Sequence, residues 1–292
     1  MTTILVTGAT GKVGQRLVPR LLNWCGDSTI RVLVRSAEAA QRFAELGAEA
    51  VVGDLREAHD RAKALAGADI VVNTAATFRG VPEADMEAVN RDAAIALGRD
   101  AAAAGVRRFV QISTILVFGP GRGRPVLESD EMLATQSYPR TKREAEEALT
   151  AIARDNASAG FGLVVVRLPF VYGEGDSHVR DIAAFYANRP LHQRLTVAHH
   201  ADVAQAIFRA ITTPGIEGRS YNVADDAPLT LWELWKMHGV PVQESSGADE
   251  SAVPQDLDDP WSGYPDTSRI RDELGYRPVY PTAWSAKAAG AL

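Results

Sequence analysis

The stretch Ile4-Leu5-Val6-Thr7-Gly8-Ala9-Thr10-Gly11-Lys12-Val13-Gly14 decides the fold of this chain. Its apolar start predicts a strand, three glycines at three-residue spacing follow, and the helical pattern of Val13–Asn23 comes next. Glycines at these positions permit a tight turn, close approach of the backbone to a phosphate, and close packing of helix on strand. Because the N–H groups at a helix start attract anions, we predict that this unit holds the pyrophosphate of a dinucleotide. The predicted binding residues are Gly8, Thr10, Gly11, Lys12, Val13 and Gly14.

Short β-branched runs alternate with helical stretches through the first half of the chain. Such alternation predicts right-handed βαβ crossovers and an α/β fold with a doubly wound parallel sheet of the Rossmann type. The continuously apolar run Leu163–Val166 agrees with a central strand that is buried on both faces. The predicted strands are Ile4–Thr7, Arg31–Val34, Ala50–Val52, Ile70–Asn73, Phe109–Ile112 and Leu163–Arg167. The predicted helices of this region are Val13–Asn23, Ala37–Leu46, Ala58–Ala66, Met86–Ala104 and Tyr138–Ala153.

The alternation weakens after Pro169. We therefore predict a dinucleotide-binding domain at residues 1–167 and, at residues 168–292, mainly a smaller substrate-binding lobe with some segments returning to the sheet. Such a lobe would cover the carboxyl ends of the strands, where ligands bind in open α/β sheets. Helices are predicted near Val179–Ala187, Ala201–Ile211 and Thr230–Met237, and a long surface loop is predicted at Gln243–Gly263.

Composition narrows the possible partners. Of the 292 residues 46% are apolar and 23% are charged, and the net charge of -6 argues against nucleic acid or an anionic membrane as partner. No apolar run is long enough for a signal peptide or a membrane span, and the single cysteine, Cys25, fits a reducing cytoplasm. We expect a soluble cytoplasmic protein that binds a small molecule. Four histidines lie near one another in the sequence: His178, His192, His199 and His200. They lack metal-ligand spacing and are expected to be solvated or capping, so no metal site is expected.

The end of the predicted second strand bears on the choice of cofactor. It holds Arg35, where an acidic residue normally accepts hydrogen bonds from the adenosine ribose, and neither Val34 nor Ser36 supplies a carboxylate. A guanidinium can bind a 2′-phosphate in a forked pair, and Lys12 at the helix mouth would add charge. The sequence therefore favours NADP(H), with NAD(H) as the alternative, although a solvated surface arginine would look the same.

A phenol and an ammonium lie four residues apart at Tyr138 and Lys142, hence on one helical face. A free tyrosine has a pKa of about 10, and a neighbouring cation lowers it towards a useful range. This spacing is common by itself, so its value depends on Ser113-Thr114 at the end of a predicted core strand. A hydroxyl there can hold a substrate carbonyl, although strand-end capping is the simpler interpretation.

Together these motifs resemble the extended short-chain dehydrogenase/reductase superfamily, which includes the NAD-dependent epimerases and dehydratases. The resemblance spans nearly the whole chain. The other segments that carry it are Gly53-Asp54-Leu55, Asn73-Thr74-Ala75-Ala76, Val89-Asn90, Val117-Phe118-Gly119, Arg167–Gly173, His199–Ala204, Tyr221-Asn222-Val223 and Leu274–Pro278.

The resemblance implies a role for each matched residue. Tyr138 would be the general acid/base, Lys142 would bind the ribose and lower the pKa of the tyrosine, and Thr114 would fix the reacting oxygen, with Ser113 as the fallback. It also implies a homodimer in which Met86–Ala104 and Tyr138–Ala153 pair across a two-fold axis. Further cofactor residues would be Asp54 and Leu55 at the adenine, Ala75 and Ala76 along the ribose path, Asn90, and Pro169 and Val171 at the nicotinamide amide. Phe78, Phe170 and Tyr172 are the predicted substrate-pocket residues, with Ser113 and Thr114.

The segment Pro190–Val197 is shorter than in nucleotide-sugar members, and it holds Leu195, beside Arg194, where those members carry an arginine. We therefore expect an NADP(H)-dependent reductase of a ketone or aldehyde, either a sugar or a secondary metabolite. One alternative is a nucleotide-sugar epimerase or dehydratase that retains NAD. The other is a cofactor-binding regulator without turnover, which would not need all of Thr114, Tyr138 and Lys142.

Overall fold

A seven-stranded sheet, in which every neighbouring pair is parallel, forms the centre of the molecule. The computed structural model describes residues 1–186, 189–242 and 263–292, so the loop predicted at Gln243–Gly263 lies, except for Gly263, outside the described residues. The strands are β1 (Thr2–Thr7), β2 (Ser28–Val34), β3 (Glu49–Val52), β4 (Ile70–Asn73), β5 (Arg108–Thr114), β6 (Gly162–Leu168), β7 (Phe170–Tyr172), β8 (Arg194–Leu195), β9 (Val197–His199), β10 (Ser220–Asn222) and β11 (Leu229–Thr230).

The strand order of this sheet is β10-β6-β5-β4-β1-β2-β3. The chain winds outward in both directions from β1, so the connections diverge between β1 and β4 and leave a crevice at their carboxyl ends. All six predicted strands are present, and the doubly wound parallel sheet is confirmed. The sequence pattern missed β10, because three residues are too short to show a period. β10 extends the sheet beside β6, with Asn222 opposite Arg167.

Helices cover both faces of the sheet. They are α1 (Gly14–Trp24), α2 (Ala37–Glu45), α3 (Ala58–Leu65), α4 (Glu83–Glu87), α5 (Ala94–Ala103), α6 (Ser137–Asp155), α7 (His178–Ile182), α8 (His200–Thr212), α9 (Leu231–Met237), α10 (Ser268–Leu274) and α11 (Ala283–Ala288). The single helix predicted at Met86–Ala104 is interrupted, because a π-helical segment at Ala88–Ala93 separates α4 from α5. The helix predicted at Val179–Ala187 is shorter than expected, since α7 ends at Ile182.

One apolar core lies on each face of the sheet. Leu17 of α1 and Ile207 of α8 belong to the first, whereas Leu97 of α5 and Leu149 of α6 belong to the second. Each large aliphatic side chain that is fully buried in this way contributes about 2 kcal/mol of hydrophobic stabilisation. These two cores hold the carboxyl ends of the strands in a fixed arrangement below the ligand crevice.

A buried ion pair fixes α6 against the sheet. The Arg167 guanidinium donates to the Glu146 carboxylate at 2.7 Å, and both side chains are at least 95% buried. Arg167 also donates to the backbone carbonyl of Glu128 at 3.1 Å. Removing one partner of such a pair typically costs 3–5 kcal/mol because the other charge is left buried and unpaired. The pair therefore locks the helix that carries Tyr138 and Lys142.

Several segments after β6, though not β10, α8 or α10, share a separate small core and form a small lobe. The strands β7 and β9 pair in parallel, and β8 pairs with β11 in the antiparallel sense. Tyr172, Val179, Trp235 and Ala283 are buried together in this core. Within the described residues, no helix has the length and apolar character needed to cross a bilayer.

Candidate active site

A cavity of about 990 Å³ lies between the carboxyl ends of the central strands and the lobe. Most of the predicted catalytic and nicotinamide-side residues line it together. These are Gly11, Lys12, Val13, Gly14, Ala76, Phe78, Ser113, Thr114, Tyr138, Lys142, Pro169, Phe170 and Val171. The fold thus brings residues from five separate segments of the chain to one site.

The three glycines of the first turn differ in what an added Cβ would contact. Gly8 has a φ of +72°, and a Cβ there would lie 2.5 Å from the backbone nitrogen of Ala75. A Cβ on Gly14 would lie 2.3 Å from the Gly8 carbonyl oxygen. Both positions therefore require glycine for packing. A Cβ on Gly11 would meet only the Gly8 oxygen, at 3.2 Å, so the space beside this residue is left for a ligand.

The start of α1 fits an anion. Its N-cap, Val13, has no capping side chain, and the first turn holds no acidic residue. By contrast, Thr230 and Glu233 form a complete capping box at the start of α9. Uncapped N–H groups and the partial positive charge of the helix end together suit a phosphate. These features fit the pyrophosphate of a dinucleotide cofactor.

A buried chain of polar side chains fixes the strand ends below the cavity. The Thr7 hydroxyl donates to the Asn73 amide oxygen at 2.7 Å, and the Asn73 amide nitrogen donates to Gln111 at 2.9 Å. The same Asn73 oxygen accepts the backbone N–H of Ala75 at 3.2 Å. Because these bonds join β1, β4 and β5, they hold the loop after β4 against the glycine turn.

Tyr138 and Lys142 occupy one face of α6, as the spacing predicts. The Tyr138 ring packs on Phe78, with 5.1 Å between the ring centroids. Burial raises the pKa of Tyr138 to about 12, and the charge of Arg79 opposes this rise in part. Burial lowers the pKa of Lys142 to about 8, against the favourable charge of Glu146. At neutral pH the phenol therefore carries its proton and the lysine its charge.

Two hydroxyls lie at the end of β5. Thr114 accepts the backbone N–H of Leu116 at 3.2 Å and so caps the short helical turn Ile115–Phe118. This is the capping role that the sequence left open beside the catalytic one, and the two are compatible because the accepting oxygen keeps its own proton. Ser113 is buried, and its oxygen has no hydrogen-bond partner among the described residues. Either hydroxyl can therefore donate to a bound oxygen.

Several cavity residues were not predicted, and Arg79 and His178 are two of them. Arg79 lines the cavity in the loop that follows β4. His178, expected from the sequence to be solvated or capping, stacks on Phe170 with 4.3 Å between ring centroids and is largely buried. Burial lowers the pKa of His178 to about 4, so the ring is neutral. The position of Arg79 just after a central strand was a usable signal, whereas His178 reaches the site only through the folding of the lobe.

Three predicted residues have surroundings that differ from the expectation. Tyr172 is not part of the cavity lining, because its ring is buried in the lobe core and its hydroxyl donates to Asp225 at 2.9 Å. Asn90 is buried away from the cavity and holds both backbone groups of Thr77 at 2.8 Å. It therefore positions the loop that lines the site.

Lys12 is the third. It forms ion pairs with Asp176 at 2.7 Å and Asp181 at 3.1 Å. Although partial burial disfavours the charged form, these two bonds raise the pKa of Lys12 overall. Its charge is thus paired within the lobe, and it ties the glycine turn to α7 and to the segment before it.

The remaining predicted cofactor residues, Gly8, Thr10, Arg35, Asp54, Leu55 and Ala75, lie outside the cavity lining. Arg35 is exposed at the end of β2, and within the described ranges it forms no ion pair. The Arg56 guanidinium donates to the Asp54 carboxylate at 2.7 Å. This hydrogen bond, together with the charge of Arg35, lowers the pKa of Asp54. Arg35 therefore keeps its charge available to a ligand.

Comparison with known proteins agrees with this geometry. The NAD(P)H-binding family matches residues 8–214. A ketoreductase of Stigmatella aurantiaca that acts on 4-hydroxy-2-methyl-3-oxo-4-farnesyl-3,4-dihydroquinoline-1-oxide is 33% identical over 242 residues, which are 77% of this chain and 69% of the relative. The ceramide reductase of Caulobacter vibrioides is 27% identical over 72% of this chain and 61% of its own. The UDP-glucose 4-epimerase of Vibrio cholerae is 32% identical over 59% of this chain and 53% of its own.

A solved structure shows the same fold over the full length. It is a short-chain dehydrogenase/reductase superfamily protein from Agrobacterium tumefaciens with bound NAD, with a TM-score of 0.75 and 23% identity over 99% of this chain and 97% of that one. At this identity the likeness concerns the fold alone, and the family follows from the sequence matches. The chain is therefore a member of the NAD(P)H-binding family and an NAD(P)-dependent enzyme, and it has the fold of a short-chain dehydrogenase/reductase superfamily protein.

Proposed function

We propose that the protein is an NADP(H)-dependent reductase of a ketone or aldehyde, with Thr114, Tyr138 and Lys142 as its catalytic set. The observation that carries this proposal is the single cavity that all three share with Gly11 of the cofactor turn. A nicotinamide cofactor supplies the hydride when bound. The residues of the chain must then bind the carbonyl, orient it and provide a proton.

Tyr138 is the proton donor in this proposal. Its raised pKa, about 12, keeps the phenol protonated at neutral pH, which suits the direction of reduction. Thr114 donates a hydrogen bond to the carbonyl oxygen, and Ser113 is the alternative donor beside it. Lys142 holds the ribose hydroxyls, and its charge stabilises the phenolate that remains after proton transfer.

The relatives favour reduction over epimerisation. The ketoreductase match extends over 77% of this chain, whereas the epimerase match extends over 59%. The aromatic residues Phe78, Phe170 and Tyr186 line the cavity and suit the apolar body of a ketone. The short Pro190–Val197 segment agrees with this proposal, because it leaves less protein to hold a nucleotide diphosphate.

One observation favours the second candidate, a nucleotide-sugar epimerase or dehydratase with retained NAD. Arg189 and Arg194 line the lobe side of the cavity, where a diphosphate would find positive charge. The two candidates are separated with NADPH that carries deuterium at C4. A reductase transfers the label to the carbinol carbon of an aryl ketone offered as substrate. Failure to form any alcohol from a panel of ketones and aldehydes would count against reduction.

We expect the protein to bind NADPH more tightly than NADH, because Arg35 can pair with the 2′-phosphate. Arg35→Asp should lower NADPH affinity by roughly 10- to 100-fold and reverse the preference, since a charge-assisted pair is lost and a repulsion is introduced. Calorimetric titration measures both affinities. Arg154→Asp, at an exposed arginine on the last turn of α6, is the matched control and should leave the ratio unchanged. Equal affinities in the native protein would exclude this role of Arg35.

We also propose a homodimer in which α5 and α6 pair with their counterparts. Support comes from the close packing of the two helices, since a Cβ on Gly98 would lie 2.2 Å from the Leu149 side chain. Light scattering at micromolar concentration should report about twice the chain mass of 31.4 kDa, and a mass near that of one chain would contradict the dimer.

A further inference from the structure

The backbone of Arg79 is held in an unfavourable conformation. Its φ is 52°, in the left-handed region, and within the described residues Glu174 is the other non-glycine residue with a positive φ. A long side chain rarely adopts this conformation, because Cβ approaches the following carbonyl. Strain of this kind persists where the surrounding structure enforces it, and it concentrates at ligand sites. The loop thus directs the Arg79 side chain at the cost of local strain.

Three aromatic rings hold the Arg79 guanidinium. Its central carbon lies 5.0 Å from the ring centroid of Phe78, 4.6 Å from that of Phe185 and 5.7 Å from that of Tyr186. Aromatic faces position a cation without neutralising it. Among the described residues no carboxylate forms an ion pair with Arg79, and its Nη1 nitrogen is buried without a hydrogen-bond partner. A buried, unpaired guanidinium nitrogen is costly, and an anionic ligand would relieve that cost.

The other titratable groups beside Tyr138 are paired, neutral or assigned to the cofactor. Lys12 is paired with Asp176, His178 is uncharged at neutral pH, and Lys142 is the residue that we assign to the cofactor ribose. Burial is the main cause of the pKa shifts of Tyr138 and His178, and the charge of Arg79 acts on both groups, so it reaches the reacting end. Arg79 is therefore a cation without a carboxylate partner among the described residues, and a substrate would meet it beside Tyr138.

We infer that Arg79 is a specificity-determining residue that binds a carboxylate or enolate oxygen next to the reacting carbonyl, so that the substrate is an apolar acidic ketone. This inference deepens the proposed reductase function and rests on it. The rings of Phe78 and Tyr186 would flank the apolar part of such a ligand. The forked guanidinium would fix the orientation of the carbonyl relative to the Tyr138 hydroxyl.

The test compares two ligands that differ by one charge, benzoylformate and its methyl ester. Each is titrated by calorimetry into protein saturated with the oxidised cofactor, so that no reduction takes place. The native protein should bind the acid roughly 10- to 100-fold more tightly than the ester, the range expected for a hydrogen-bonded charge pair. Arg79→Asn, which tolerates the left-handed backbone, should abolish this preference, whereas Arg79→Lys should keep part of it.

If Arg79→Asn does not fold, as judged by its thermal unfolding, Arg79→Gly decides in its place because glycine adopts a positive φ freely. Equal affinities of the native protein for acid and ester, no binding of either at millimolar concentration, or a preference that survives loss of Arg79 would each overturn the inference. So would a preference that depends on Arg194 instead, measured with Arg194→Gln. Failure of the reductase function would appear separately, as ketones that consume no NADPH, because binding needs no turnover.

Discussion

Replacement of Tyr138 by phenylalanine is expected to lower kcat by roughly 10²–10⁴-fold, the usual contribution of a general acid. The ring would still pack on Phe78, so the affinity for NADPH should be nearly unchanged. Steady-state turnover and calorimetric titration of NADPH together measure the two effects. A loss of turnover without a loss of cofactor affinity is what proton donation by Tyr138 requires.

Two further variants make this result specific. Tyr280→Phe removes a phenol that packs on His199, outside the cavity lining, and should leave turnover intact. Lys142→Met should reduce both turnover and NADPH affinity, because the lysine would hold the ribose as well as stabilise the phenolate. If Tyr138→Phe kept near-native turnover, the proton donor would have to be sought elsewhere, with Ser113 as the first candidate.

The second large effect concerns the glycine turn. Gly11→Ala should leave the fold intact, because the new Cβ would meet only the Gly8 oxygen, at 3.2 Å. The methyl group would nevertheless occupy the space beside the start of α1, where the pyrophosphate is expected. We expect NADPH affinity to fall roughly 10- to 100-fold, the effect of inserting a methyl group into a well-packed contact. Calorimetry measures the affinity, and thermal unfolding reports on the fold.

The neighbouring glycines provide the contrast. Gly14→Ala should lower the unfolding temperature, since its Cβ would lie 2.3 Å from a backbone oxygen that cannot move aside cheaply. Gly26→Ala introduces the same methyl group where no atom lies within 4 Å, and it should change neither property. Unchanged NADPH affinity in Gly11→Ala would mean that the phosphate does not approach the backbone at this turn.

Much of the fold was predictable because its signals are local. The strands from β1 to β6 are apolar and β-branched, and the helices between them begin and end close to their predicted limits. β10 and the π-helical segment at Ala88–Ala93 were not predictable in this way. The first is too short to show a period, and the second coincides with the bonds from Asn90 to Thr77, which exist only in the folded chain.

Site residues that lie in local motifs were predictable, whereas those brought together only by folding were not. Gly11, Thr114, Tyr138 and Lys142 belong to motifs that a sequence displays, and the structure gathers them around one cavity. Arg79 and His178 lie in segments without a motif, and their role depends on which segments fold together. The burial of Tyr172 in the lobe core was not predicted, because alternation along a short strand does not say which of its two faces packs on that core.

A reductase exchanges its cofactor in every cycle of reduction, whereas an epimerase does not need to release it. The most direct measurement is to purify the protein without added cofactor, denature it, and assay the supernatant for nicotinamide nucleotide. A reductase that exchanges its cofactor should yield protein largely free of nucleotide, which then consumes NADPH when given a carbonyl substrate. Stoichiometric retained nucleotide, together with epimerisation of a nucleotide sugar in the absence of added NADPH, would contradict the account.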